Sequence, residues 1–284
     1  PQNLLSLTGS GQNHGVKLGK DNTGNVYLTG RFTQSISIGS STLTSAGDRD
    51  AFVTKVNNGG VVQWARSIGG TGRDQGVGIS IDVNDNVVVT GLFNGTVTFA
   101  STPYSSAGGD DIFVAKYDDS GNEIWLSQAG GSANDERGRT IITYGSDLFV
   151  GGFFKGTATF GGLSALTSAG GRDAFIAQLN EDGDWVWAKK FGGTNEANAA
   201  SIEVNKPGQI ILSGEFKGSV NTALGTITTN GAFDAFAATY DRKGDLIAQS
   251  SYGTTSKDGI TDMEIDMVGN VLMAGYFSRN LNLG

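Results

Sequence analysis

The chain repeats itself, and any fold it adopts must honour a period of 61 or 62 residues. The phrase SAGDRDAFVTKV at 45–56 returns as SAGGDDIFVAKY at 106–117, SAGGRDAFIAQL at 168–179 and TNGAFDAFAATY at 229–240. Its aspartate falls at Asp50, Asp111, Asp173 and Asp234, in steps of 61, 62 and 61. A Gly-x-Phe marker falls at Gly30/Phe32, Gly91/Phe93, Gly152/Phe154, Gly214/Phe216 and Gly275/Phe277, in steps of 61, 61, 62 and 61. Two markers keeping one period define a repeat protein, in which one supersecondary unit recurs and packs on its neighbours.

Each period holds four segments with strand-like alternation and none with helical spacing. They are exemplified by GVGISIDV (76–83), NVVVTGLF (86–93), DAFVTKV (50–56) and VVQWARSIGG (61–70). Turns such as DNTGN (21–25), DDSGN (118–122) and DRKGD (241–245) join them, and Asp, Asn and Gly there suit tight hairpins. A Gly/Thr-rich excursion, GTVTFASTPYSSAGG (95–109), separates the second segment from the third and is expected to add a small hairpin. One four-stranded meander cannot bury both of its faces, so the copies must cover each other.

The expected fold is therefore all-β, a β-propeller of about five four-stranded antiparallel blades with the last blade incomplete. The first strand, rich in small residues, is expected innermost. The fourth is expected outermost, with Trp64, Trp125 and Trp187 filling the space between blades. Residues 1–284 are read as one domain, with repeat phases near 1–49, 50–110, 111–172, 173–233 and 234–284. By phase, Gly284 is equivalent to Gly39, so the third strand has no fifth counterpart. Either the ring closes with residues 4–10 pairing near 271–277, or the repeats continue in a longer native chain. The second is expected, since the start PQNLLSLTGS has no Met and no signal-peptide pattern.

Composition removes whole classes of function. With no cysteine there are no disulfides, thiolate metal sites or cysteine nucleophiles. A formal net charge of −8, with the 20 basic residues scattered, opposes a phosphate-binding surface, so nucleic acid is not an expected partner. No apolar run approaches the length of a membrane-spanning helix.

The string DDIFVAKYDDSGNEIWLSQAGGSANDERG (110–138), with GNVYLTGRF (24–32) in phase after it, resembles the bacterial SBBP-type β-propeller repeat. The resemblance covers nearly the whole chain. It implies a secreted or surface-attached protein, often part of something larger, and no shared catalytic residues. In the fourth copy the Trp position is Ala248 and Gly-Gly has become Tyr252-Gly253, while the third inter-blade turn carries Ala197 where other copies place Asp.

The chemistry-bearing residues follow the repeat. His14, the only histidine, stands at a turn position filled by Gln75 and Glu136 in the next copies, which argues against a Ser–His–Asp site. Asp50, Asp111, Asp173 and Asp234, and Asp118, Asp182 and Asp241 in the following turn, read as turn caps. Asn13, Asp74, Asp135 and Asp258, with Ala197 in the fourth copy, are the candidate ring at one channel mouth, where carboxylates would hold Ca²⁺ or a polar ligand. The expected function is a non-enzymatic extracellular or cell-surface module for interaction, adhesion or structure, with a protein or glycan partner. The alternative is a carbohydrate-active enzyme or lectin using channel-face carboxylates or rim aromatics such as Tyr104, Trp185 or Phe233.

Overall fold

Alternation at period two sends successive side chains to opposite faces of a strand. Every segment so patterned is a strand in the computed structural model, which describes residues 7–278. After a short β1 (Leu7–Gly9), the first repeat contains β2 (Asn13–Lys20), β3 (Val26–Phe32), β4 (Ser35–Ile38), β5 (Ser41–Thr44), β6 (Asp50–Val56) and β7 (Val62–Ile68). The second contains β8 (Gln75–Ile81), β9 (Val87–Phe99), β10 (Thr102–Tyr117) and β11 (Glu123–Gly131). The third contains β12 (Arg137–Tyr144), β13 (Asp147–Phe160), β14 (Leu166–Leu179) and β15 (Trp185–Phe191). The fourth runs through β16 (Ala197–Val204), β17 (Ile210–Phe216), β18 (Ser219–Thr222), β19 (Gly225–Thr228), β20 (Asp234–Tyr240) and β21 (Leu246–Tyr252). The fifth has β22 (Gly259–Ile265) and β23 (Val271–Tyr276) among the described residues.

Four repeats each pair as an antiparallel meander: β2-β3-β6-β7, β8-β9-β10-β11, β12-β13-β14-β15 and β16-β17-β20-β21. The fifth contributes the pair β22-β23. The Gly/Thr-rich excursion forms the expected hairpin in four copies. In the second and third it prolongs the strands themselves, with Phe99 opposite Thr102 and Ala158 opposite Leu166.

These hairpins join neighbouring units. Ala129–Gly131 at the end of β11 pair with Ala158–Phe160 of β13, which fuses units two and three into one curled eight-stranded sheet. Gly70 bridges Val97 in the equivalent place, and β1 pairs with β4 through Leu7 opposite Ile38. Residues 7–9 pair with the β4 hairpin in the register by which Ala129–Gly131 of the outer strand β11 pair with β13 of the next unit; residues 4–6 of the expected pairing of 4–10 near 271–277 lie outside the described residues.

Burial follows the stacking of units. One apolar cluster joins Ala51, Val53 and Trp64 of the first unit to Val89, Phe113 and Tyr117 of the second. Another joins Ile112 and Val114 to Val150 and Phe175. A third joins Phe149 and Ile176 to Leu212 and Phe236. The third strands β6, β10 and β14 thus send alternate residues to two different cores.

The tryptophans lock unit to unit. The Trp64 indole N–H donates to the Asp119 carbonyl at 2.9 Å, Trp125 to Glu181 at 3.0 Å and Trp187 to Arg242 at 3.1 Å. Each ring lies over a glycine of the next unit's hairpin turn. At Gly121 the backbone has φ of +78°, and a Cβ there would lie 2.6 Å from the Trp64 ring.

Candidate functional site

The repeated Asp before each third strand is architecture. Asp50, Asp111, Asp173 and Asp234 are 2% exposed or less. Each accepts a backbone N–H four residues earlier: Ala46 at 3.1 Å, Ala107 at 2.9 Å, Ala169 at 3.1 Å and Asn230 at 2.8 Å. Each carboxyl rests on a glycine of its own outer strand, where a Cβ would meet the carboxyl carbon at 2.1 to 2.4 Å. Burial raises all four pKa values, that of Asp111 to about 6.

The next turn is capped as expected at Asp118 and Asp241, whose carboxylates accept N–H groups two and four residues on. In the third copy the cap is Asn180, not Asp182. The Asn180 Oδ1 accepts the N–H groups of Asp182 and Asp184, because position i of the turn is the one that reaches forward.

The candidate mouth ring is placed differently in one copy. Gly76, Gly138, Ala199 and Ile260 pair with the glycine of each Gly-x-Phe, which fixes the register. Two positions before them stand Asp74, Glu136, Ala197 and Asp258, and Asn13 in the first copy. The third member is therefore Glu136, because an extra residue in SANDERG is absorbed before β12; Asp135 is displaced and its carboxylate pairs with Arg172.

The aspartates at this position serve their own turns. Asp74 accepts the N–H groups of Gly70 at 2.9 Å and Asn94 at 3.1 Å, and burial raises its pKa to about 7. Asp258 accepts the N–H of Thr254 and of Ser278. Among the described residues no three His, Cys, Asp or Glu side chains are grouped to hold a metal ion.

Glu136 is the exception in chemistry. It is fully buried, and its carboxyl has no close hydrogen-bond partner, the Gly131 N–H lying at longer range. Burial, followed by the negative charges of Asp111, Asp135 and Asp110, pushes its pKa up to about 8, and the Gly131 N–H only partly offsets this. The folded chain thus holds a proton that the unfolded chain releases above the ordinary glutamate range. The stabilisation is complete below about pH 4.5 and is lost as pH rises through 8. Glu136→Gln is expected to match the wild type at pH 5 and to gain about 1–2 kcal/mol over it at pH 8, measured by urea unfolding at both. An equal gain at both pH values would contradict this account.

The first strands of all five repeats line a common cavity of about 380 Å³. Alternation aims two levels of side chain into it. One level comprises Lys17, Thr140, Ser201 and Asp262, and the other comprises Ser80, Ile142, Glu203 and Glu264. Lys17 pairs with Asp262 at 3.0 Å, joining the first repeat to the fifth, and Ser201 donates to Asp262 at 3.1 Å.

Glu203 and Glu264 occupy the same repeat position on neighbouring strands. Burial, then the charges of Glu264 and Asp262, raises the Glu203 pKa to about 7. Burial would raise Asp262 as well, but the Lys17 ammonium and the Met263 N–H hold it below its usual value. A carboxyl near half-protonation at neutral pH beside an ionised one can exchange protons with a bound polar ligand.

The three rim aromatics are packed side chains. Trp185 lies in β15, donates to the Gln128 carbonyl at 3.2 Å and meets Phe160 edge-on at 5.1 Å, turned away from Trp187 by the register shift opposite Gln178 and Leu179. Tyr104 packs on the core between units one and two, and Phe233 lies between the ammonium groups of Lys217 and Lys257. His14 is in β2, opposite Arg31.

No family model matches the chain. It is 27% identical over 259 residues, 83% of its length, to the regulatory protein FlaEY of Caulobacter vibrioides, of which the match covers 26%. It is 24% identical over 338 aligned positions, 93% of its length, to an uncharacterized WD repeat-containing protein of Acanthamoeba polyphaga mimivirus, of which the match covers 24%. The chain spans about a quarter of the length of these relatives. Among the described residues no helix is long and apolar enough to cross a membrane.

Proposed function

We propose that the chain is a protein-interaction module built as a β-propeller of about five blades, acting within a larger surface or secreted protein and without catalysis of its own. Four stacked meanders and a fifth strand pair, all presenting first strands to one cavity, support the propeller architecture. Similarity to a WD repeat-containing protein supports it too. The observation that carries the interaction reading is how the repeated acids are used. The Asp before each third strand is buried against a glycine and bonded to a backbone N–H, so these acids serve the fold and are not offered to a ligand.

The competing reading as a carbohydrate-active enzyme draws on Glu203 and Asp262, whose pKa values are pushed apart in one cavity. One experiment separates the two. The purified chain is incubated with a panel of glycans, and a co-purified partner is re-added and examined by sedimentation. A stoichiometric complex without glycan turnover is expected. Turnover abolished by Glu203→Gln would replace the interaction reading with the enzymatic one.

A further inference from the structure

The stacked units gather arginines that lie far apart in sequence. Arg31, Arg49, Arg73, Arg137 and Arg172 all stand where the Gly-x-Phe end of a second strand meets the start of a first or a third strand. The shared register therefore brings them to one end of the three four-stranded units that run from β2 to β15. In a chain of net charge −8 they make a local excess of positive charge.

Two kinds of pairing recur at this end, and each fails in one copy. The residue two before Gly-x-Phe's partner turn, just ahead of the buried acid that precedes the first strand, meets the residue just ahead of the third-strand Asp. Arg73 thus donates to Asp110 at 2.7 Å in unit two, and the Asp135 carboxylate pairs with Arg172 in unit three. Unit one has Gln12 and Arg49 at these positions, so Arg49 is left without a carboxylate and lies beside Arg73, to which a backbone bridge ties it. The second pairing runs between units. Arg31, the middle residue of its Gly-x-Phe, donates to the Gln75 Oε1 of unit two at 2.9 Å. The equivalent residues of units two and three are Leu92 and Arg137, and leucine accepts nothing. Arg137 lies over the Phe153 ring instead, 5.9 Å from its centroid, with Arg172 over the same ring at 4.7 Å.

The Nε atoms of Arg49 and Arg137 are buried and unbonded, and neither guanidinium has an ion pair among the described residues. Burial lowers the pKa of both, and neighbouring guanidinium charges lower them further: Arg31 and Arg73 act on Arg49, Arg139 and Arg49 on Arg137. The acids that act against this, Asp110 and Asp135, are already taken by Arg73 and Arg172. A half-buried guanidinium without a counter-ion is unfavourable, and an incoming anion relieves it.

We infer that Arg49 and Arg137 form a carboxylate-binding site for a short acidic segment of a partner polypeptide, with an Asp or Glu side chain meeting each guanidinium. This rests on the interaction reading and names the partner chemistry for it. The occupant is a carboxylate because Arg172, the repeat equivalent of Arg49, takes one from Asp135 in the chain itself. The planar fork of arginine suits that group.

The test uses the whole chain and a fluorescent peptide, Gly-Asp-Glu-Asp-Glu-Gly, with Gly-Asn-Gln-Asn-Gln-Gly as its uncharged control. Saturable binding of the acidic peptide alone is expected, weakening as salt rises. Arg49→Gln combined with Arg137→Gln should weaken it at least about tenfold. Lys243→Gln removes a positive charge from the exposed turn before β21 and should change binding by less than about twofold. The melting temperature checks that each variant is folded. Gln12→Asp keeps both arginines and gives unit one the acid that unit three has, so it should by itself weaken peptide binding at least about threefold. Equal loss in Lys243→Gln, binding of the uncharged peptide, no loss in Gln12→Asp or no saturable binding would each overturn the site. Displacement of the peptide by an equal concentration of inorganic sulfate would overturn the acidic segment in favour of a free oxyanion. A partner complex unaffected by the double arginine variant would sink this site while leaving the interaction reading intact.

Discussion

Gly91→Ala is expected to destabilise the chain by at least about 3 kcal/mol, and near-complete loss of folded protein at 37 °C is the outcome to look for. A methyl there would lie 1.9 Å from the Gln75 carbonyl oxygen and 2.9 Å from the Phe113 ring. Neither can yield. The carbonyl belongs to β8, whose pairing with β9 changes register between Gly76 and Gly78, and the ring is fully buried between two units. Gly162→Ala is the control, since nothing lies within 4 Å of its added Cβ, and it should change stability by less than about 1 kcal/mol. Urea unfolding followed by tryptophan fluorescence measures both. Similar small losses would show that Gly-x-Phe is not conserved between copies by this contact.

That contact explains why the repeat could be read before any strand was placed. A phenylalanine seated on a cross-strand glycine, and an aspartate seated on the glycine of its outer strand, are contacts that leave the same residues at the same phase. The Asp carboxyls and the Trp indoles are legible for the same reason: each needs one partner at a fixed offset. The third and fourth strands, the turns and the Trp locks follow directly.

What was misread depended on single-residue offsets. Counting forward from Gly130-Gly131 selects Asp135; counting back from Gly138, the residue that pairs with Gly152, selects Glu136. The strand pairing decides, since loop length can vary while register cannot slip without turning every side chain over. Trp185 and Trp187, two residues apart, would share a face of a regular strand; the register shift opposite Gln178 and Leu179 sends them to different cores, which spacing alone does not show. The central cavity was hidden for a different reason. Its positions repeat in geometry but differ in chemistry, from Lys17 to Asp262 at one level and from Ser80 to Glu203 at the next, so they leave no motif. Residues that depart from the repeat at a recurring position were the available sign.

The same logic sets the largest effect expected away from glycine. Trp64→Ala should cost about 3–5 kcal/mol, the range for truncating a buried large aromatic. Trp64 is 6% exposed, stacks on Tyr117 with centroids 6.2 Å apart and an interplanar angle of 29°, and meets Tyr27 at 6.2 Å. Removing it leaves the Asp119 carbonyl without its indole donor and empties the seat over Gly121. Trp187→Ala should cost less, because that ring is only partly buried. In a stack where units touch mainly their neighbours, loss of the lock between the first two units weakens one interface and leaves the others. Amide exchange should therefore accelerate in β2, β3, β6 and β7 before it does in β12 to β15. Uniform acceleration across all units would mean that the stack unfolds as a single cooperative body, and that the indoles contribute to a shared core instead of fastening one unit to the next.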